Sequence, residues 1–211
     1  MQLPSMARAL SLLVLVFFPL LAQAQGFREK GLAFLGAGRF DDARAFALDT
    51  LQVNPNDIEA EVLLCQSLVL MGRSADAVTY ASRYYQTKRD ARLAELIGEG
   101  LYAQGVNEPA LKWFQLYLDA FSEGPWAGAA YFHSGEIYIR LGHYGHADIA
   151  FTAALQYEPS NARWRARLAW AQERTGDLRQ ALANYEAALR IDPRLEDATV
   201  GRSRILVRLR G

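Results

Sequence analysis

Cysteine is nearly absent from this chain, since Cys65 is the only one in 211 residues. An intramolecular disulfide is therefore impossible, and the disulfide-stapled scaffolds are excluded. A catalytic thiol is not indicated either, because no His or Asn is predictably close to Cys65 and nothing in the sequence would lower its pKa. We expect Cys65 to be a small, buried packing residue.

Long hydrophobic runs are also scarce, and the strongest one stands at the start. Residues 9–18 form an apolar run that follows Arg8 and precedes an A-x-A tripeptide at 22–24. This order is typical of a secretory signal peptide. We predict cleavage after Ala24, export of the mature chain to a bacterial periplasm, and no membrane association beyond this segment. The alternative is an uncleaved inner-membrane anchor, although the run is shorter than the ~20 residues that span a bilayer.

Neither sign of charge is in excess, because 23 Lys and Arg balance 23 Asp and Glu. The distribution is uneven: residues 25–160 carry 11 basic and 17 acidic side chains, whereas residues 161–211 carry 11 Arg and 6 acids. No basic-aromatic motif typical of a nucleic-acid reader is present. We therefore expect no nucleic-acid partner.

What the sequence does contain is an internal repeat. Its clearest markers are Ala43, Ala77, Ala110, Ala147 and Ala181, which are separated by 34, 33, 37 and 34 residues. Self-similarity near this period is typical of stacked helical hairpins, each of which needs its neighbours to bury its apolar face.

The copy at residues 128–161 shows the pattern best. Tyr131, Gly135 and Tyr138 share one face of a first helix, and Gly142 ends that helix because glycine tolerates a left-handed turn. The second helix carries Tyr144, Ala147, Phe151, Ala154 and Leu155 before Pro159. Small residues let the helix backbones approach, and large ones fill the gaps between hairpins.

This pattern resembles the tetratricopeptide repeat, with its small residues at the eighth and twentieth positions and a Pro near the end. The resemblance implies an all-α solenoid with a right-handed superhelix. The predicted units are the signal peptide at 1–24, repeats at 25–57, 58–90, 91–127 with a short insertion, 128–161 and 162–195, and a capping helix at 196–211. In the capping helix we expect Ala198, Ile205 and Leu209 to form the packed stripe, with Arg202, Arg204 and Arg208 on a solvated face.

In this family the first helices of successive repeats line a concave groove. Carried over by register, the resemblance implies that the groove is formed by Gln66, Arg92, Glu95, Glu99, Tyr102, Phe132, His133, Glu136, Arg163, Arg167 and Trp170. The expected surface is apolar at its N-terminal end, then acidic, then basic, with Trp170 exposed. Arg163 and Arg167 lie one turn apart, so they either share a carboxylate of a partner or form a solvated cationic face.

Some family members bind the C-terminal carboxylate of chaperone tails through Lys, Asn and Arg side chains of three repeats. Here only Arg163 and Arg167 match in charge, while Glu95, Glu99 and His133 occupy the other places. The sequence therefore does not support a carboxylate clamp.

Catalytic and metal-binding patterns are weak. His143 and His146 are three residues apart, a spacing that occurs in metal sites, but they fall in a predicted turn between helices. No Ser-His-Asp set, paired catalytic carboxylates or phosphate-binding glycine loop is present. We predict no catalysis, no metal and no cofactor.

The sequence therefore predicts a non-catalytic scaffold or adaptor of the bacterial cell envelope, which binds a partner peptide or domain in the groove. Two alternatives stay open. One is a structural component that self-associates into homo-oligomers through residues 121–126 and the terminal helix. The other is an assembly factor anchored in the inner membrane by residues 9–21.

Overall fold

The computed structural model describes residues 25–210, and within them the chain forms eleven helices and no strand. The first helix, α1, covers 25–36. The others are α2 (Phe40–Val53), α3 (Ile58–Leu70), α4 (Ser74–Lys88), α5 (Ala91–Ala103), α6 (Asn107–Ala120), α7 (Ala127–Arg140), α8 (Tyr144–Tyr157), α9 (Ala162–Thr175), α10 (Leu178–Ile191) and α11 (Glu196–Arg208). The predicted signal peptide at 1–24 lies outside the described residues. Within residues 25–210, every helix is too short or too polar to cross a membrane.

The described residues divide into two compact units, one that ends at Tyr84 and one that begins at Tyr85, with the boundary inside α4. In the first unit α2 packs against α3. In the second, α5 packs with α6, α7 with α8 and α9 with α10, and α5 also contacts α7. These contacts show three successive helical hairpins in the second unit, followed by α11 against α10 and α9.

The first helix of each hairpin ends at a glycine in the left-handed region. At the end of α7, Gly142 has φ of 76°, and the following His143 N–H donates to the Tyr138 carbonyl over 2.8 Å. This geometry satisfies carbonyls at the helix end and is strained for other residues. The predicted turn at Gly142 is confirmed, and the equivalent glycines with positive φ are Gly38, Gly72, Gly105 and Gly176.

Several helices begin at a polar side chain that caps their backbone. Asp57 accepts from the Ala60 N–H before α3, Asp90 from the Arg92 N–H before α5, and Asn161 from the Trp164 N–H before α9. Such caps satisfy amide groups that have no partner within the helix. They fix the starting residues of the helices that carry most of the candidate site.

The five marker alanines are each 0% exposed, as the repeat pattern predicts. A large buried ring accompanies them, as at Phe151 in α8. Gly135 of α7 lies so close to this ring that an added Cβ would be 2.6 Å from Phe151 Cε1. The absence of a side chain at Gly135 is therefore required by helix packing.

Helix α11 caps the last hairpin with Ala198 and Ile205, which are both buried. Leu209 is exposed, so the predicted apolar stripe ends one turn earlier than expected. Arg202, Arg204 and Arg208 are exposed, and Arg204 and Arg208 also reach Glu173 of α9. The physical reason is that Glu173 is buried beneath them and needs a cation.

Candidate functional site

The candidate site in the second unit is the surface of α5, α7, α9 and α11, which we call the first-helix face. Side chains join each of these helices to the next: Tyr102 of α5 to His133 of α7, Glu136 of α7 to Arg167 of α9, and Glu173 of α9 to Arg204 of α11. One of these contacts is an aromatic stack and the other two are ion pairs.

The pair between Glu136 and Arg167 is bidentate. Arg167 Nε and Nη2 donate to the two Glu136 carboxylate oxygens over 2.5 and 2.8 Å. The Glu136 side chain is only 15% exposed, so its charge is largely removed from water and depends on the guanidinium. Arg167 is thus already bound within the protein.

Around His133 the face is aromatic. Its imidazole stacks on Tyr102 with ring centroids 4.7 Å apart and also lies against Phe114 and Phe132. Burial, together with a smaller effect of the charge of Arg140, lowers the pKa of His133 to about 4. His133 is therefore neutral near pH 7, and its Nδ1 is buried without a hydrogen-bond partner among the described residues.

Arg140 completes this cluster. Its guanidinium lies 4.2 Å from the Tyr102 ring centroid, and its Nη1 donates to the Tyr102 carbonyl over 3.2 Å. Arg140 is not among the groove residues predicted above, although it occupies the same register position in its repeat as Arg174 does in the next. That register is the signal by which it could have been found.

Trp170 of α9 lies between two cations. The guanidinium carbons of Arg167 and Arg174 are 5.5 and 5.7 Å from its ring centroid, and Tyr144 meets it edge-on at 5.6 Å. These contacts leave Trp170 half-buried rather than fully exposed as expected. The ring is held in one orientation by cation–π and edge contacts.

Glu173 is the most heavily paired acid of the face. Arg204 donates to it over 2.6 and 2.7 Å, and the Tyr185 hydroxyl donates over 3.2 Å. Burial would raise the pKa of Glu173, but the hydrogen bonds and charge of Arg204 outweigh burial, and the pKa lies below its usual range. Burial and the Glu173 charge together raise the pKa of Tyr185.

Glu95 and Glu99 of α5 differ from these paired acids. Glu95 is 3% exposed, and Glu99, one helical turn later, is half-buried. Burial raises the pKa of both carboxyl groups, and the charge of Glu99 raises that of Glu95 further. The two groups form a coupled acidic pair.

The remaining predicted site residues lie apart from these contacts. Arg92 forms a 2.8 Å ion pair with Asp90 at the start of α5. Phe132 stacks on Trp164 with centroids 5.0 Å apart and contributes to packing between α7 and α9. Arg163 is exposed at the start of α9, and Gln66 belongs to α3 in the first unit.

The structure adds detail to the expected chemistry of the groove. At the basic end Arg167 is paired with Glu136, whereas Arg163 and Arg174 are exposed. Arg163 and Arg167 differ in environment, since Arg163 is exposed and Arg167 is partly buried against Glu136. The sequence pattern could not reveal this, because the pairing depends on how neighbouring repeats superpose.

Cys65 is buried at 0% exposure, as predicted. Burial, with a smaller contribution from the charge of Glu61, raises the pKa of its thiol to about 12. His143 and His146 have ring centroids 5.7 Å apart. Within residues 25–210 no group of three or more His, Cys, Asp and Glu side chains is arranged to hold a metal ion.

Known proteins share this architecture. Residues 127–196, which span α7 to α10, match the family model described as the tetratricopeptide repeat. The fold is a tetratricopeptide-repeat fold. No curated protein matches the chain significantly at the level of sequence.

Solved tetratricopeptide-repeat structures resemble most of the chain. A MamA crystal structure has a TM-score of 0.63 at 19% identity, covering 81% of this chain and 92% of its own. A thermophilic TPR protein of Thermus thermophilus has a TM-score of 0.63 at 24% identity, covering 87% of this chain and 99% of its own. The first TPR of Spaghetti (RPAP3), bound to the HSP90 peptide SRMEEVD, has a TM-score of 0.53 at 21% identity, covering 58% and 95%. At these identities the likeness shows the fold alone.

Proposed function

We propose that this chain is a non-catalytic adaptor of the bacterial cell envelope that binds a segment of a partner protein on the first-helix face. The observation that carries the proposal is the fixed cluster of Trp170, Arg174 and Tyr144, whose rings and guanidinium stay partly open to solvent. Aromatic and Arg side chains held in one geometry bind partners with little loss of conformational entropy.

The partner of this chain differs in chemistry from an acidic chaperone tail. The RPAP3 neighbour is bound to the peptide SRMEEVD, which carries acidic residues and a C-terminal carboxylate. At the corresponding clamp places this chain has Glu95, Glu99 and His133. Acids repel an acidic tail, and a neutral imidazole adds no cation, so a different segment is bound.

A crosslinking pull-down from bacterial cells tests the proposal. The wild type is compared with a Glu99→Lys, Trp170→Ala variant and with a matched Glu158→Lys, Ile149→Ala variant, whose two positions are exposed near α8 and in α8. We expect the first variant to lose the partners that the wild type and the matched control retain. Equal recovery by all three would show that the first-helix face is not the binding surface.

Export is tested separately by the N-terminal residue of the protein purified from cells. Cleavage after Ala24 leaves Gln25 first, whereas an inner-membrane anchor leaves the N-terminal segment in place. Recovery of mature protein beginning at Gln25 in a periplasmic extract supports the envelope role. Protein that retains residues 9–21 in the cytoplasmic fraction contradicts it.

Self-association is a second candidate function. Val207 of α11 and Leu209, which follows α11, are 71% and 45% exposed, and Phe121 in the α6–α7 connection is 48% exposed. Exposed apolar residues of this kind favour contacts between copies. Light scattering across a concentration series separates the two functions, because a strict monomer excludes self-assembly as the main role.

A further inference from the structure

Glu95 and Glu99 have no cation within the described part of the chain. Neither carboxyl group takes part in a hydrogen bond or an ion pair with another residue of 25–210. Glu95 is nevertheless 3% exposed and lies behind the half-buried Glu99. Burial of two neighbouring carboxyl groups without a cation disfavours their charged forms, so a cation supplied from outside would stabilise the pair.

The other acids that are mostly buried on the first-helix face each have an arginine partner, which Glu95 and Glu99 lack in the described part of the protein. Glu136 has Arg167 of the next first helix, and Glu173 has Arg204 of α11. Glu99 and Glu136 occupy the same register position in consecutive repeats, but the place equivalent to Arg167 is held by His133. Because His133 is neutral near pH 7, the fold supplies no internal cation to the α5 pair.

Other titratable groups near the pair do not replace that cation. From α6, Tyr117 faces Glu95 and is neutral near pH 7, since burial raises its pKa. From α7, Arg140 is bound to the ring and carbonyl of Tyr102, and Glu136 is bound to Arg167. The buried Nδ1 of His133 has no hydrogen-bond partner among the described residues.

We propose that Glu95 and Glu99 are the receptor for a lysine or arginine side chain of the partner protein, so that the bound segment is basic. Glu99 contacts the incoming cation because it is the more exposed of the two, and Glu95 stabilises it from one turn behind. The cation then has the role at α5 that Arg167 has beside Glu136. This inference rests on the proposed function, since it names the chemistry of the segment bound on the first-helix face.

Phage-displayed random dodecapeptides, selected against the full chain, test the inference without knowledge of the natural partner. We expect the selected peptides to share a Lys or Arg at one position. Replacing that residue by norleucine should weaken binding by about tenfold or more. A Glu99→Gln variant should weaken binding of the parent peptide by a similar factor and leave binding of the norleucine peptide unchanged.

The variants keep the test interpretable. Glutamine preserves the shape of glutamate and removes only its charge, so Glu99→Gln and Glu95→Gln should fold, as circular dichroism can verify. Glu108→Gln, at an exposed position of α6, removes one negative charge elsewhere and should leave peptide affinity within about twofold. An equal loss in Glu108→Gln would show a general effect of net charge and overturn the inference.

The outcomes separate this inference from the proposed function. Peptides that bind, lose binding in Trp170→Ala and show no preference for Lys or Arg would overturn the basic-segment inference and leave the adaptor function standing. Selection that enriches no binding peptide would contradict both. Enrichment of acidic peptides would show that the bound segment does not contact the negative charge of Glu95 and Glu99, and would overturn the inference.

Discussion

Arg167 binds Glu136 through two parallel hydrogen bonds and thereby joins the first helices of two successive repeats. The residues are separated by 31 positions in the chain. A second such pair, Arg204 with Glu173, repeats the relationship between α9 and α11. Two acids of the first-helix face, Glu136 and Glu173, are therefore paired within residues 25–210, whereas Glu95 and Glu99 of α5 are not.

Glu173→Gln should destabilise the protein by about 1–3 kcal/mol, because the change leaves Arg204 and Tyr185 facing a neutral group in a buried position. The measurement is urea unfolding at pH 7. Glu186→Gln is the matched control, since its 3.7 Å pair with Arg202 is exposed and should contribute under about 0.5 kcal/mol. Equal effects of the two changes would contradict a special role for the buried pair.

Gly135→Ala should destabilise by about 1–3 kcal/mol, because its new Cβ would overlap the ring of Phe151. Gly145→Ala is the matched change in α8, where nothing lies within 4 Å of an added Cβ. It should stabilise by about 0.5 kcal/mol through the higher helix propensity of alanine. Thermal unfolding of both variants checks the opposite signs, and a stabilising Gly135→Ala would show that these helices are not in close contact.

Cys65 should resist thiol reagents in the folded protein, since burial raises its pKa to about 12 and closes access to the sulfur. We expect Ellman's reagent at pH 8 to react only on the timescale of protein opening, and at once in urea. A native thiol that reacts as fast as free cysteine would contradict the packing assigned to α3.

The acidic pair of α5 should make stability depend on pH. Because the folded pKa of Glu95 and Glu99 lies above the ordinary 4.5, their contribution to stability is fully present below pH 4.5 and is lost as pH rises through the folded value. The double variant Glu95→Gln, Glu99→Gln should be more stable than wild type at pH 8 and should lack this loss. If the difference in unfolding free energy between wild type and the double variant is the same at pH 5 and pH 8, the burial of the pair is contradicted.

His133 should act in the opposite direction. Its folded pKa of about 4 lies below the ordinary 6.5, so its contribution is present above pH 6.5 and is lost as pH falls toward 4. His133→Phe keeps an aromatic ring against Tyr102 and removes the titration. Between pH 6.5 and pH 4, we expect the unfolding free energy measured in urea to fall less for the variant than for wild type. An equal fall would show that a group other than His133 causes the pH dependence.

Local pattern was sufficient to predict the hairpins. Gly142 is needed for a left-handed turn, and Ala147 is needed where two helices pack closely. Both positions can be recognised from the sequence of a single repeat. The same holds for Cys65, whose register position predicted its burial.

The repeat pattern could not predict which side chains of neighbouring repeats bind one another. The register placed Glu136 and Arg167 on the same face, but it could not show that they bind one another or that Glu95 is buried. These properties depend on the rise and rotation between neighbouring hairpins, which side-chain volumes throughout the core determine. The pairing of Arg167 with Glu136 could not be predicted for this reason.

Site-specific photo-crosslinking in cells tests the central claim most directly, that the first-helix face binds a partner protein. A benzoylphenylalanine is placed either at Arg174 of α9 or at Ile149 of α8, both of which are exposed. The account predicts a crosslinked partner from Arg174 and none from Ile149, with the crosslink lost in Glu99→Lys. Crosslinking from Ile149 alone, or from Arg174 with equal yield in Glu99→Lys, would contradict it.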